Sequence, residues 1–63
     1  MRITALSDLE WRISDATKDE SDGLALLGFI ERKGTYYEVT RLERPKKRKR
    51  LGSFSAAVDS LSP

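Results

Sequence analysis

The sequence predicts a small α+β domain, in which a meandering antiparallel sheet of three to four strands carries one C-terminal helix on one face. Three observations predict it: period-two alternation around Trp11, a hairpin pattern around Gly34, and a change to helical spacing after Gly52. With 63 residues, the chain has room for a single domain, residues 1–63, with a thin core.

The first predicted strand covers residues 9–14, where Leu9, Trp11 and Ile13 alternate with polar residues. Trp11 is the sole tryptophan of the chain, and we expect it to anchor the core between sheet and helix, because aromatic side chains dominate small cores. Its predicted neighbours are Phe54, Val58 and Leu61. A polar loop is predicted for residues 15–23.

Strands are predicted at 25–32 and 35–42, joined by a two-residue turn on Lys33 and Gly34. This turn pairs Ile30 with Tyr37. Alternation then divides the hairpin into two faces. The more apolar face, predicted to point to the core, holds Leu26, Gly28, Ile30, Tyr37 and Val39. The exposed face holds Phe29, Glu31, Tyr36, Glu38 and Thr40, and Leu27 is expected to join Phe29 and Tyr36 there in a small apolar patch.

Pro45 predicts a loop over residues 43–47, followed by a short strand at 48–51. After Gly52 the spacing becomes helical, and Ser53 is a suitable N-cap for a helix over residues 54–61. Its apolar stripe, at positions i, i+3, i+4 and i+7, consists of Phe54, Ala57, Val58 and Leu61. A helix this short cannot stand alone, so it must pack on the sheet.

Composition argues against catalysis. The chain has no cysteine and no histidine, which removes thiolate metal sites, cysteine nucleophiles and the commonest general base. The carboxylates of Asp15, Asp19, Glu20 and Asp22 do not have the spacing of a calcium loop. We therefore predict no enzyme activity, no cofactor and no metal site. The N-terminus lacks a signal-peptide pattern and no apolar stretch is long enough to span a membrane, which predicts a small cytoplasmic protein without a membrane partner.

Charge is divided unevenly along the chain. Residues 1–40 carry five basic and eight acidic side chains, a net charge of −3, whereas residues 41–63 carry seven basic and two acidic side chains, a net charge of +5. Such asymmetry is typical of proteins that contact nucleic acid or a membrane surface. The predicted phosphate contacts are Arg44, Lys46, Lys47, Arg48, Lys49 and Arg50. A solvated basic loop without a function remains the alternative interpretation of the same run.

Residues 34–61 resemble the arm-type DNA-binding domain of tyrosine recombinases. The shared pattern is a G-x-Y-x-V-like strand (Gly-Thr-Tyr-Tyr-Glu-Val), a Lys/Arg-rich turn, a G-x-F element (Gly-Ser-Phe) and an Ala-rich amphipathic helix. The resemblance implies a three-stranded sheet backed by a helix, with the sheet in the major groove of DNA. The sequence departs from this pattern at Glu31 and Glu38. Both lie on the predicted exposed face, where their carboxylates would oppose contact with DNA. The Leu-Leu-Gly-Phe-Ile-Glu-Arg hairpin also resembles short uncharacterised proteins of high-GC Gram-positive bacteria.

Together these observations predict a small, non-enzymatic nucleic-acid-binding protein that contacts phosphates through a basic inter-strand loop, with DNA favoured over RNA. The alternative is a protein-interaction or regulatory module without a nucleic-acid partner. In that reading the exposed sheet face receives a protein partner or a second copy of the chain, because a thin core gains from association.

Overall fold

The computed structural model describes residues 1–19 and 21–62. Within these residues the chain forms an antiparallel sheet of five strands, in the order β1-β2-β3-β4-β5, followed by one helix. The elements are β1 Arg2–Ser7, β2 Glu10–Ser14, a short 3-10 helix Gly23–Ala25, β3 Leu26–Lys33, β4 Tyr36–Arg41, β5 Arg44–Leu51 and α1 Phe54–Ser60. The α+β class and the C-terminal helix are confirmed, but the prediction of three to four strands is wrong. Glu20, part of the predicted acidic loop, lies outside the described residues.

The strand that the sequence analysis missed is β1. Its alternation is weak, because Ile3 and Ala5 are its apolar residues on one side and alanine has little apolar surface. β1 and β2 form a hairpin, in which Ile3 lies opposite Ile13 and Ala5 lies opposite Trp11. Directly opposite residues share a face, so β1 extends the apolar side of β2.

The turn between β3 and β4 lies on Gly34 and Thr35, one residue later than predicted. Lys33 pairs with Tyr36, and Gly34 has a φ of 63° at the first central position, as a type II′ turn requires. Ile30 therefore pairs with Val39 instead of Tyr37. A register shift of two residues does not by itself turn any side chain to the other face.

A β-bulge changes the faces of two leucines at the start of β3. Ile13 lies opposite Gly28 and Ser14 lies opposite Leu26, which leaves Leu27 as the extra residue. Leu27 packs against the core, whereas Leu26 lines a depression on the other side together with Ser14. Both assignments from strict alternation were therefore wrong, because a bulge interrupts the period of two. Leu27 does not join the predicted exposed patch.

Helix α1 begins as predicted. The Ser53 Oγ accepts a hydrogen bond from the Ala56 N–H at 3.2 Å, which caps the first turn. The helix ends at Ser60, one residue earlier than predicted, and packs mainly against β4 and β5. At its C-terminus Arg41 Nη1 donates to the Ser60 carbonyl at 2.7 Å. This bond satisfies a terminal carbonyl with a cation and ties the helix end to β4.

The core lies between α1 and one face of the sheet. Its buried members are Ile13, Ile30, Val39, Ala57 and Leu61. Gly28 makes the close approach possible: a β-carbon there would lie 2.3 Å from the Thr40 carbonyl oxygen and 2.9 Å from Leu61 Cδ2. Leu61 thus occupies the space that the missing side chain leaves open.

Trp11 lies at the rim of this core. It is half-buried and packs edge-on against Phe54, with ring centroids 4.9 Å apart. Tyr37 completes an aromatic cluster at 6.0 Å from Trp11 and 5.7 Å from Phe54. The predicted neighbour Phe54 is confirmed, but the largest fully buried side chains are those of Ile13, Ile30 and Leu61.

Replacing Gly28 by alanine should reduce stability by about 2 kcal/mol, because the new methyl group overlaps backbone and must displace Leu61. Urea denaturation followed by circular dichroism measures the change. Gly52→Ala is the matched control, since a β-carbon at Gly52 meets nothing within 4 Å and should change stability by less than about 0.5 kcal/mol. Equal stability of the two variants would contradict this account of the core.

Trp11→Ala should cost about 2–3 kcal/mol, less than the ~3–5 kcal/mol of a fully buried aromatic residue, because part of the side chain stays in water. The measurement is the same denaturation experiment. Leu24→Ala, at a leucine that is 74% exposed, serves as the control and should be nearly neutral. A Trp11→Ala variant as stable as this control would show that the aromatic cluster contributes nothing.

Candidate nucleic-acid interface

The predicted basic loop is an edge strand. All six predicted contact residues lie in β5, at the edge of the sheet next to β4, and each of them is exposed. The connection before it is a tight turn on Leu42 and Glu43, so the predicted loop over 43–47 and the predicted strand limits of 48–51 are both wrong. Charged side chains suit an edge strand, because they prevent pairing with other strands.

Most of the run nevertheless departs from regular pairing. In the register of β4 with β5, Val39 lies opposite Lys49 and Arg41 lies opposite Arg44. Thr40 therefore faces the four residues 45–48, which form a wide irregularity in the strand. Pro45 has no N–H to give to a ladder, which explains why pairing fails at this point.

Two of the six basic side chains are engaged on the open face of the sheet, the face opposite α1. Arg50 lies opposite Glu38 in the register, and its guanidinium sits 5.1 Å from the centroid of the Tyr36 ring, a cation–π contact. Arg48 Nη1 lies 3.4 Å from Glu38 Oε1. Tyr36 is thus partly covered by Arg50 and offers less surface for stacking than expected.

The other four basic side chains make no such ion pair or cation–π contact with the described residues. No carboxylate oxygen in the part of the chain that the structure describes lies within 4.0 Å of them. They are Arg44, Lys46, Lys47 and Lys49. Because Lys49 lies opposite Val39, it belongs to the helix side of the sheet, whereas Arg50 belongs to the open side. The run therefore presents charge around an edge and not on one flat face.

Glu38, which was expected to oppose an anionic ligand, is largely withdrawn from solvent. Its side chain is 11% exposed and pairs with Lys33 at 3.8 Å as well as with Arg48. Lys33 also lies 4.0 Å from Glu31. A carboxylate this buried needs cationic partners, and their charge offsets its repulsion of phosphate. The sequence did not predict Lys33 as a partner of Glu38, because this ion pair depends on the hairpin register.

Two depressions adjoin the free cations. One, of about 480 Å³, is lined by Arg41, Glu43, Arg44, Lys47, Arg48 and Lys49. The other, of about 560 Å³, is lined by Arg44, Pro45, Lys46 and Lys47. The single carboxylate in the first depression, that of Glu43, accepts a hydrogen bond from Arg41 Nε at 2.9 Å. Both concavities are therefore strongly positive and wide enough for a phosphodiester group.

The carboxylates of the acidic loop are used for local structure. Asp15 accepts hydrogen bonds from the hydroxyl and the backbone N–H of Thr17, at 2.6 and 2.9 Å. Asp19 does the same for Ser21, and Asp22 caps the 3-10 helix through the Leu24 N–H. Among the described residues no group of three or more potential ligands is placed to hold a metal ion.

No protein-family model, curated protein or solved structure matches the chain. Among the described residues, no helix has the length and apolar character needed to cross a membrane.

Acidification should weaken the side-chain hydrogen bonds of the loop. Hydrogen bonds from the Thr17 hydroxyl and then its backbone N–H hold the pKa of Asp15 below its ordinary value, and those from Ser21 do the same for Asp19. A depressed folded-state pKa contributes stability above the unfolded value of about 4, which is lost as pH falls through the folded pKa.

An NMR titration of the aspartate carboxyl carbons tests this. We expect Asp15 and Asp19 to titrate below the ordinary range, and Thr17→Val to raise the pKa of Asp15 while leaving that of Asp19 unchanged. An unchanged pKa of Asp15 in this variant would contradict the assigned cause.

Proposed function

We propose that this is a non-enzymatic nucleic-acid-binding protein whose β5 edge contacts the phosphate backbone, with duplex DNA as the favoured ligand. The observation that carries the proposal is the set of four exposed cations, Arg44, Lys46, Lys47 and Lys49, without carboxylate partners in the described chain and beside two positive depressions. Neutralising phosphates releases condensed counterions, which drives such binding.

The same geometry favours binding that does not depend on sequence. Three of the four free cations are lysines, which act as point charges on flexible stems and do not impose the paired geometry of arginine. The two arginines best placed to read bases from the open face are held by Glu38 and Tyr36. Contacts of this kind position a protein on DNA without reading its sequence.

The order of β3, β4, β5 and α1 agrees with the layout that the tyrosine-recombinase resemblance implies, since three strands are followed by a helix on one face. The location of the charge differs. In the recombinase domains a sheet face enters the groove, whereas here the free cations lie along an edge. We therefore propose that the edge of β5, and not the open face, approaches the phosphates.

Fluorescence titration of a labelled duplex at several salt concentrations measures the number of contacts. Four neutralised phosphates predict a slope of about −3.6 for log K against log salt, from about 0.9 per phosphate. The dissociation constant should lie at roughly 10⁻⁴–10⁻⁶ M at physiological salt. Lys46→Gln, Lys47→Gln and Lys49→Gln together should flatten the slope by about 2.7, while folding changes little because solvated charges add little stability.

A variant with the same net charge controls for general electrostatics. Arg12→Gln, Lys18→Gln and Arg32→Gln remove three exposed cations outside β5 and should leave the slope nearly unchanged. Equal flattening by both triple variants would assign the binding to overall charge, and no binding at low salt would favour the protein-interaction alternative.

Glu38→Gln should strengthen binding. Removing the carboxylate charge frees Arg48, which now lies 3.4 Å from Glu38, and glutamine keeps the side chain's size. We expect the salt slope to become steeper by about one unit, because one more cation reaches a phosphate. Glu43→Gln removes the same charge from the turn, but its partner Arg41 also donates to the Ser60 carbonyl and stays there, so the effect should be smaller. A Glu38→Gln slope equal to that of the unaltered protein would show that Arg48 takes no part.

A further inference from the structure

The two edges of the sheet are built differently. The β5 edge carries six basic residues, Pro45 and a wide irregularity, all of which discourage pairing with another strand. The β1 edge, Arg-Ile-Thr-Ala-Leu-Ser, has Arg2 as its one charged residue and contains no proline. A strand edge presents unpaired N–H and C=O groups, and β1 leaves these groups open over residues 2–5, before the bulge at Leu6.

Exposed apolar side chains gather at this same edge. Met1 is 44% exposed, Ile3 46% and Leu6 52%. They do not form one flat surface: Ile3 lies opposite Ile13 on the helix side, while Leu6 lines a depression on the open side with Phe29. Backbone edge groups lie between the two sides, so the ligand that fits is another β-strand and not a lipid surface.

We propose that β1 pairs antiparallel with β1 of a second copy of this chain, joining the two sheets into one. Pairing β1 with a second copy's β5 would place Ile3 and Leu6 against a run of charged side chains, and two β5 edges would repel each other. The β1–β1 arrangement matches apolar with apolar and is closed by a two-fold axis, so both copies use the same surface.

One register of the β1–β1 pair places apolar side chains opposite one another on the helix side. Opposite residues must share a face, so the two-fold axis passes beside Ile3 or beside Thr4. Centring on Ile3 pairs Met1 with Ala5, Arg2 with Thr4, and Ile3 with its own copy, so the helix side of the junction is wholly apolar. Centring on Thr4 would pair Arg2 with Leu6, where the bulge interrupts the strand. The Ile3-centred register is therefore the proposed one.

The arrangement also separates the positive charge. The two β5 edges lie at opposite ends of the joined sheet, roughly 40 Å apart at about 4.8 Å per strand, which is several Debye lengths at physiological salt. The ladder involves about five residues from each copy, fewer than the roughly 20–30 residues a side of a stable interface. The dimer should therefore be weak and should form at protein concentrations of about 10⁻⁵–10⁻⁴ M.

Sedimentation equilibrium without nucleic acid tests the proposal independently of the proposed function. We expect a monomer–dimer equilibrium over the range of about 10–500 μM, weakened at least tenfold by Ile3→Lys. The matched control is Leu24→Lys, at an exposed leucine outside the sheet, which should dimerise as the unaltered protein does. Circular dichroism confirms that each variant is folded. A monomer at every concentration, or equal weakening by the two variants, would overturn the proposal.

Cross-linking tests the register. Because the chain has no cysteine, a single introduced thiol gives an unambiguous product. Ile3→Cys places two thiols beside the proposed two-fold axis and should form a disulfide-linked dimer with oxidised glutathione far faster than Lys49→Cys, on the β5 edge. Equal rates for the two variants, or faster cross-linking at Lys49→Cys, would overturn the proposed pairing.

Discussion

The close approach of α1 to the sheet at Gly28 is the constraint on which the rest of the structure depends. A helix of seven residues has no stability of its own in water, so it persists because Leu61 fills the space over Gly28 while Arg41 holds the Ser60 carbonyl. The aromatic cluster fixes the other end through Phe54. With both ends held, the helix covers Ile30 and Val39, and a chain of this size obtains its core.

The position of α1 determines where charged side chains can lie. Because α1 covers one face of the sheet, polar side chains occupy the open face and the β5 edge. On the open face Glu38 combines with Lys33 and Arg48, and opposite charges largely offset each other. At the edge the cations are not offset. The positive field of the protein therefore arises from a strand that contributes Leu51 to the periphery of the core but is otherwise exposed.

Sequence patterns predicted the elements whose signals are local. Ser53 and the stripe from Phe54 to Leu61 located the helix, because capping and helical spacing act within a few residues. They missed β1, whose alternation is weak because Ala5 has little apolar surface, and assigned Leu26 and Leu27 to the wrong faces, because a bulge leaves no mark in alternation. The six basic residues were found from the run of charge along the sequence, but which of them contact other side chains depends on the β4–β5 register, which that run does not contain.

In a regular strand, the number of residues determines to which face the later side chains point. The wide irregularity of β5 removes this link. In a regular ladder, adding or losing one residue turns every later side chain to the opposite face. Here residues 45–48 face Thr40, so a change in their number can be absorbed locally while Lys49–Leu51 keep their pairing. Leu51 would then stay beside Tyr37. Evolution can therefore adjust how many cations this edge carries without rebuilding the interior.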